Sequence, residues 1–348
     1  MNIKTKHDNG WCNRLVWVGA LLSMSLMAAA AQTQNDFYKG KVITIAVGQE
    51  AGGTIDLYAR VVARYLGRHI PGNPTVIIQN VPGASSLKLA NLLPVSVPKD
   101  GTYIAALNRL PIYDKIYTAN SLATFDPLTL NYLGSPDKIW SVAYLWHNAK
   151  VKTAADLLKN EALVGATAGG SADLTPRLLR EFAGFKFKII NGYANVTDVE
   201  LAAERGEVEG RASTAPQSLL DRNWVADGKV NVLFWNGLEK NPLWPDVPMA
   251  LDFIKSPDDR KLMELYYAAD EIGYPYAAPP GIPEDRLKIL RDAFWATLND
   301  SDFVADTNKQ RLEVHPLSAE KVAESVSDSY AMPEPIVKRL QNILAGGN

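Results

Sequence analysis

The chain has one cysteine among its 348 residues, at position 12. A disulfide framework is therefore excluded, and so is a cluster of thiolates around a metal. Histidine is nearly as scarce, with four in all. The three beyond the N-terminal segment, His69, His147 and His315, stand far apart without the spacing of metal ligands. Each reads as a surface or satisfied core histidine, and neither a metal nor a cofactor is expected. Lys and Arg number 36 against 38 Asp and Glu and form no basic stripe, which argues against nucleic acid and an anionic membrane as partners. After residue 31 there is no apolar run long enough to span a bilayer, no low-complexity tract and no tandem repeat. What remains is an ordinary globular composition, 47% hydrophobic and 21% charged.

The first 31 residues read differently. Lys4, Lys6 and Arg14 lie ahead of an apolar run, Leu15 to Ala30, that ends in alanines. That is the pattern of a secretory signal peptide over residues 1–31, with an uncleaved anchor as the alternative. Cys12 lies before the apolar run and so cannot become a lipid-bearing first residue of the mature chain. Cleavage would remove three basic residues and Asp8, leaving a net charge of about −4 on about 317 residues, a length that suggests two domains. An anion bound by such a chain must be held by a local site.

The stretch Val42 to Arg60, VITIAVGQEAGGTIDLYAR, offers one. Ile43, Ile45 and Val47 read as a strand that delivers the chain to Gly52 and Gly53, with Thr54 as N-cap of a helix whose apolar positions are Ile55, Ala59, Val62 and Leu66. Unpaired N–H groups and the helix dipole at such a turn favour negative charge. A second cradle follows the β-branched run Thr75 to Gln79, of the kind buried in a parallel sheet. Asn80 to Ser86 there turns into a short helix, Leu87 to Leu93. Thr102 to Leu107 reads as a third strand, and the alternation marks a parallel α/β unit. Residues 113–133 show no clean period. Ile139 to Trp146 is an apolar run able to carry the chain into a second domain, and Thr153 to Asp156 is a capping box. Beyond it the opening geometry returns: strand Ala162 to Thr167, turn Ala168 to Asp173, helix Leu174 to Phe182. Strands Phe185 to Ile190, Val208 to Ala212 and Val230 to Trp235 continue it, with a helix over Val196 to Arg205. Helices are expected over Ser256 to Ala268, Pro283 to Leu298, Ala319 to Ser329 and Glu334 to Leu344.

Several chemistries can be weighed on these residues. Gly48 to Gly53 matches neither the dinucleotide fingerprint nor the P-loop, since no Lys-Ser/Thr follows it. GGSAD at 169–173 departs from a nucleophile elbow at Asp173, where a small residue is needed, so a secreted serine hydrolase using Ser171 with Asp221 and His315 is the lesser alternative. Asp56 is either a first-turn acid complementing the helix dipole, worth about 0.3–1 kcal/mol, or a group turned into the cleft. As the only polar side chain between Ile55 and Leu57 it is assigned to the cleft. Ser85, Ser86 and Ser171 can cap helices and touch a ligand at once. Arg211 is a surface ion pair or, through its bidentate fit to carboxylate, a ligand clamp.

Taken together, GQEAGGTIDLYARVVARYL, VIIQNVPGASSLKLANLL, PKDGTYIAAL, VGATAGGSADLTPRLL, AAERGEVEGRAS, NPLWPDVPMALDF and PPGIPEDRLKILRDAFWATLNDSDF resemble the periplasmic solute-binding receptors of tripartite tricarboxylate transporters, the Bug-type proteins. The resemblance spans nearly the whole mature chain. It implies an α/β fold of the type II periplasmic-binding-protein kind, each of two domains a mostly parallel sheet flanked by helices, with two crossover segments as hinge. Domain 1 would comprise 32–140 and 236–348, and domain 2 the inserted residues 141–235. It further implies a non-enzymatic, monomeric periplasmic receptor that delivers a small organic acid to membrane transporter subunits. A ligand-sensing partner of a membrane signalling protein is a further alternative.

Carried over by motif, the ligand loops are Ala51 to Asp56, with Gly52, Gly53, Thr54 and Asp56 as candidates, and Pro82, Gly83, Ala84, Ser85 and Ser86; Gln49, outside the motif, is added as a candidate. Gly169, Gly170, Ser171, Ala172 and Asp173 would face them from the other domain; Arg211 is a further candidate from its residue type, not from the motif. Ser85-Ser86 stands where the family usually has glycines, and Gln49-Glu50 replaces a more apolar, Pro-containing approach. Glu50 adds negative charge near the anion site, which weighs against a simple dicarboxylate and leaves room for a monocarboxylate, an amino-bearing acid or an aromatic acid.

Overall fold

The computed structural model describes residues 37–346; the signal-peptide assignment and Cys12 fall outside them. β1 (Val42–Val47) buries Ile43, Ile45, Ala46 and Val47 and is followed by α1 (Thr54–Leu66). Next come β2 (Thr75–Asn80), α2 (Leu87–Leu92), β3 (Tyr103–Ala106), α3 (Leu110–Tyr117) and β4 (Asn131–Ser135). β1 lies parallel to β2 and to β3, with Val47 opposite both Asn80 and Ala106, so three turns open at one end of the sheet. β2 is an edge strand. Its Ile77 is 45% exposed, and the run Thr75 to Gln79, expected to be buried inside a sheet, alternates exposed and half-buried residues at the edge of the sheet.

The chain then passes through residues 136–140 into a second sheet. There it forms β5 (Ser141–Trp146), β6 (Ala162–Ala166), α4 (Ser171–Phe182), β7 (Phe187–Asn191), α5 (Val196–Glu204), β8 (Gly210–Thr214), α6 (Pro216–Asp221) and β9 (Val230–Asn236). The capping box at Thr153 is present, but it opens only a short 3-10 turn, Ala154–Leu158. The remaining elements are α7 (Pro257–Ile272), β10 (Tyr276–Ala278), α8 (Glu284–Leu298), α9 (Ser301–Lys309), β11 (Leu317–Ser318), α10 (Ala319–Tyr330) and α11 (Glu334–Leu344).

The result is a two-domain α/β fold with two open, mixed sheets. One runs β11-β4-β10-β3-β1-β2 and the other β7-β6-β8-β5-β9. In each, a strand with parallel neighbours on both sides (β1, β6) is followed outward by antiparallel pairing, through β10 in the first and β5 in the second. Ser141 at the start of β5 pairs with Asn236 at the end of β9, so the two passages between sheets run side by side. Lys138 on one passage forms ion pairs with Glu239 on the other and with Glu271 of α7. One apolar cluster joins β1, α1, α8 and α9 through Ile45, Tyr58, Val62, Phe294 and Phe303. A larger one extends from Ile112 and Met263 to Tyr144, Phe234 and Trp235 of the second sheet. Among the described residues no helix is long and apolar enough to cross a membrane.

Candidate ligand-binding site

The first turn is built around a carboxylate that does not face the cleft. Asp56 is fully buried and accepts hydrogen bonds from the Gly52 amide (2.8 Å), Arg60 Nε (2.7 Å) and Asn80 Nδ2 (2.8 Å). Asn80 is the last residue of β2 and also bonds the Gln49 carbonyl (3.0 Å). The assignment of Asp56 to the cleft is therefore replaced: its side chain latches the turn to the next strand. Burial alone would raise its pKa, but the hydrogen bonds from Arg60, Gly52 and Asn80 outweigh that and hold it below the ordinary carboxylate value.

The second domain repeats this latch group for group. Asp173 accepts from the Gly169 amide (3.1 Å), Arg177 Nε (2.8 Å) and Asn191 Nδ2 (3.0 Å), and Asn191 ends β7 as Asn80 ends β2. Its pKa is lowered as well, burial being overcome by the bonds from Arg177, Asn191 and Gly169. The signal was present in the sequence. AGGTIDLYAR at 51–60 and AGGSADLTPR at 168–177 share Ala, Gly-Gly, Asp, Leu and Arg in register.

With the aspartates turned inward, neither helix start is capped by the side chain of its own N-cap residue. α1 begins after Gly53 and α4 after Gly170, and neither N-cap carries a side-chain hydrogen bond. By contrast α5, α7, α9 and α10 begin under Asn195, Ser256, Asp300 and Ser318 side chains. Thr54, expected as N-cap, is the first helical residue and exposed, as Ser171 is in α4. Gln49 Oε1 takes the Ile55 amide instead (3.0 Å). Gln49 folds so closely over Gly53 that a Cβ there would sit 2.3 Å from Oε1. The Thr54 and Asp56 amides of α1, and those of Ser171 and Ala172 in α4, find no acceptor among the described residues.

The second loop is held in left-handed backbone. Gly83, Ala84, Ser85 and Ser86 have φ of 149°, 46°, 51° and 77°. A Cβ costs about 1–2 kcal/mol per residue in that region, a strain that Ala84, Ser85 and Ser86 carry. Ser86 is fully buried; its Oγ donates to the Gly48 carbonyl (2.9 Å) and accepts from the Asn108 amide (2.9 Å). It clips three strand ends together, while Ala84 and Ser85 are exposed. Gly48, Gln49, Glu50, Pro82 to Ser86 and Asn108 line a cavity of about 360 Å³.

Gly169, Gly170 and Ser171 line a different cavity, of about 590 Å³, shared with Arg109, Tyr117, Tyr266 and Asp270. Consecutive residues line the two, Asn108 the smaller and Arg109 the larger. Arg109 was passed over in the sequence. It follows the carboxyl end of β3, where an open α/β sheet places ligands, and its Nε bonds Asp270 Oδ1 at 2.7 Å.

Arg211 lines none of these cavities. It is 5% exposed, donates to Thr214 Oγ1 (3.0 Å) and lies 4.0 Å from Glu200, so its ion pair is buried rather than on the surface, and the clamp reading is withdrawn. The hydrolase constellation is not assembled either. Ser171 Oγ accepts from Ser213 Oγ (3.1 Å), His315 pairs with Asp137 (2.9 Å), and Asp221 is bonded by Gln217 (2.8 Å) and Arg311 (3.4 Å).

No protein-family model matches the chain. A curated relative, the UPF0065 protein in the gbd 5′ region of Cupriavidus necator, is 24% identical over 330 residues, 92% of this chain and 94% of the relative. Among solved structures the fold matches a TctC solute-binding protein from Polaromonas with a TM-score of 0.70 at 18% identity, over 88% of this chain and 99% of that one. An R. palustris protein solved with adipate gives 0.58 at 17% identity, over 86% and 97%. The periplasmic binding protein BugD gives 0.53 at 18% identity, over 89% and 98%. The fold is thus that of the periplasmic solute-binding proteins, TctC and Bug-type receptors among them.

Proposed function

We propose that the chain is an exported, non-enzymatic receptor that closes on a small organic carboxylate in the periplasm and hands it to the membrane subunits of a tripartite tricarboxylate-type transporter. The observation that carries this reading is the paired latch. Two helices of 13 and 12 residues each start behind a Gly-Gly turn with a glycine as N-cap. Two first-turn amides in each are left without an acceptor among the described residues while the nearby aspartate braces the turn. Free amides and an exposed hydroxyl at each start suit a carboxylate. The adipate held by a protein of the same fold is in keeping with that guest.

Magnitudes favour a clamp. Hydrogen bonds to a charged group contribute roughly 1.5–3 kcal/mol each, whereas micromolar affinity requires about 8 kcal/mol net of association costs. One turn is not enough, so residues 141–235 close as domain 2 over residues 32–140 and 236–348, bringing Gly170 to Ala172 toward Gly53, Thr54, Ala84 and Ser85. Glu50 at the rim disfavours extra negative charge at the first turn. Thermal shift against a panel of mono- and dicarboxylic, amino and aromatic acids tests the proposal: at least one acid raises Tm in a saturable way. A panel without effect, or turnover of an ester abolished by Ser171→Ala, would overturn it.

A further inference from the structure

Away from the latched turns, Asp137, Glu313 and His315 converge beside the passage between the sheets. Their donor atoms lie within 4.8 Å of one another. His315 Nδ1 is 2.9 Å from Asp137 Oδ1 and 3.9 Å from Glu313 Oε2. Bonds of about 2.0–2.2 Å to a tetrahedral ion imply donor–donor edges of about 3.3–3.5 Å, which those two spacings bracket. Histidine and acid are 178 residues apart in sequence, so no ligand spacing announced the group.

The arrangement is held from outside. Asp137 is 5% exposed and takes a hydrogen bond from the Tyr58 hydroxyl at 3.2 Å. The Glu313 carbonyl lies 2.6 Å from the same hydroxyl, whose one proton is shared between the two acceptors, and the His315 amide donates to the Pro136 carbonyl at 3.1 Å. One phenol and one backbone bond thus fix the buried carboxylate against the segment that carries the other two donors, as outer groups do around metal ligands. Asp137 and Glu313 also line a cavity of about 160 Å³ whose walls include Thr54 of α1 and Gln217 of α6. Space for further ligands therefore exists on the side facing both domains.

We infer that Asp137, Glu313 and His315 form a binding site for a divalent transition-metal ion of the zinc type. One imidazole nitrogen with two carboxylate oxygens suits Zn²⁺ better than Mg²⁺ or Ca²⁺, which take oxygen ligands. Two carboxylates and a neutral imidazole balance the ion's charge, while on the same cavity wall Lys138 is paired with Glu239 and Glu271, and Arg311 with Asp221. The ion joins the outgoing passage at Asp137 to the segment after α9, and its open positions face the cavity between Thr54 and Gln217.

The test is calorimetric titration of Zn²⁺ alone into untagged protein freed of metal with a chelator, which does not depend on any organic acid being bound. One ion per chain is expected. His315→Ala and Glu313→Gln should each weaken binding by about tenfold or more. His69→Ala, whose imidazole pairs with Asp300 at 2.9 Å, should bind as the wild type does. The His315 and Glu313 side chains are 41% and 43% exposed, so both variants should fold, and their melting curves check this. Co²⁺ in place of Zn²⁺ should give a visible absorption band that His315→Ala removes. Absence of saturable binding near one equivalent, or wild-type affinity in either Glu313→Gln or His315→Ala, overturns the assignment.

Discussion

Replacing Asp56 by Asn tests the latch where its consequences are largest. The carboxylate is fully buried, and its oxygens face only donors: the Gly52 amide at 2.8 Å, Asn80 Nδ2 at 2.8 Å, Arg60 Nε at 2.7 Å and Arg60 Nη2 at 3.1 Å. A carboxamide keeps one acceptor and turns its NH2 against a donor. Arg60 is 45% exposed on its side chain and can relax into water, so its share is small, about 0.2–1 kcal/mol. The donor left unpaired inside the turn costs about 1–3 kcal/mol. The variant should therefore lose about 2–3 kcal/mol, a fall in Tm of roughly 4–12 °C for a domain of this size. Arg60→Ala strips the buried carboxylate of its cation while leaving the Gly52 and Asn80 donors paired, so it should destabilise the protein too and raise the Asp56 pKa. The Asp56 pKa is lower in the folded state than the ordinary value of about 3.9. Its contribution is therefore fully present above that value and is lost as pH falls through the folded pKa, so the gap between wild type and variant should be constant from about pH 5 to 8 and close below about pH 4. Thermal denaturation followed by circular dichroism reads all three quantities. Equal melting of Asp56→Asn and wild type, or a gap that does not close at low pH, would refute the reasoning.

Gly53→Ala leaves the backbone unstrained, since Gly53 has φ of −75°, but should displace Gln49 from the Ile55 amide, costing about 0.5–1.5 kcal/mol, and weaken acid binding by about tenfold; unchanged calorimetric affinity would count against the Gln49 arrangement. Ser85→Gly relieves an exposed left-handed residue at φ 51° and should raise stability by about 1 kcal/mol, read by urea denaturation. Arg211→Met leaves Glu200 paired with Arg222 at 2.8 Å and should keep acid affinity within about twofold; a large loss would restore the clamp.

Local pattern carried the fold further than it carried the site. Strands Val42–Val47 and Ala162–Ala166 stand out because apolar runs end at Gly-Gly turns that open helices, and both can be located without any long-range information. β4 and β10 were illegible because a five-residue and a three-residue strand owe their existence to each other across the sheet. The roles of side chains failed for the same reason. Asp56 meets Asn80 24 residues on, Ser86 bridges Gly48 and Asn108, and Arg211 finds Glu200 on a neighbouring helix. The sequence exposes residue types at a turn but not which way a carboxylate points. Only comparison of the two AGG segments would have shown that Asp and Arg recur together, and hence that they act on each other rather than on a guest.

The central claim is that both latched turns grip one carboxylate. Amide hydrogen exchange with and without the acid that most raises Tm measures it directly. Gly53 to Asp56 and Gly170 to Ala172 should gain protection together, with the same dependence on acid concentration. Protection gained elsewhere while both turns exchange as in the free protein would contradict the account.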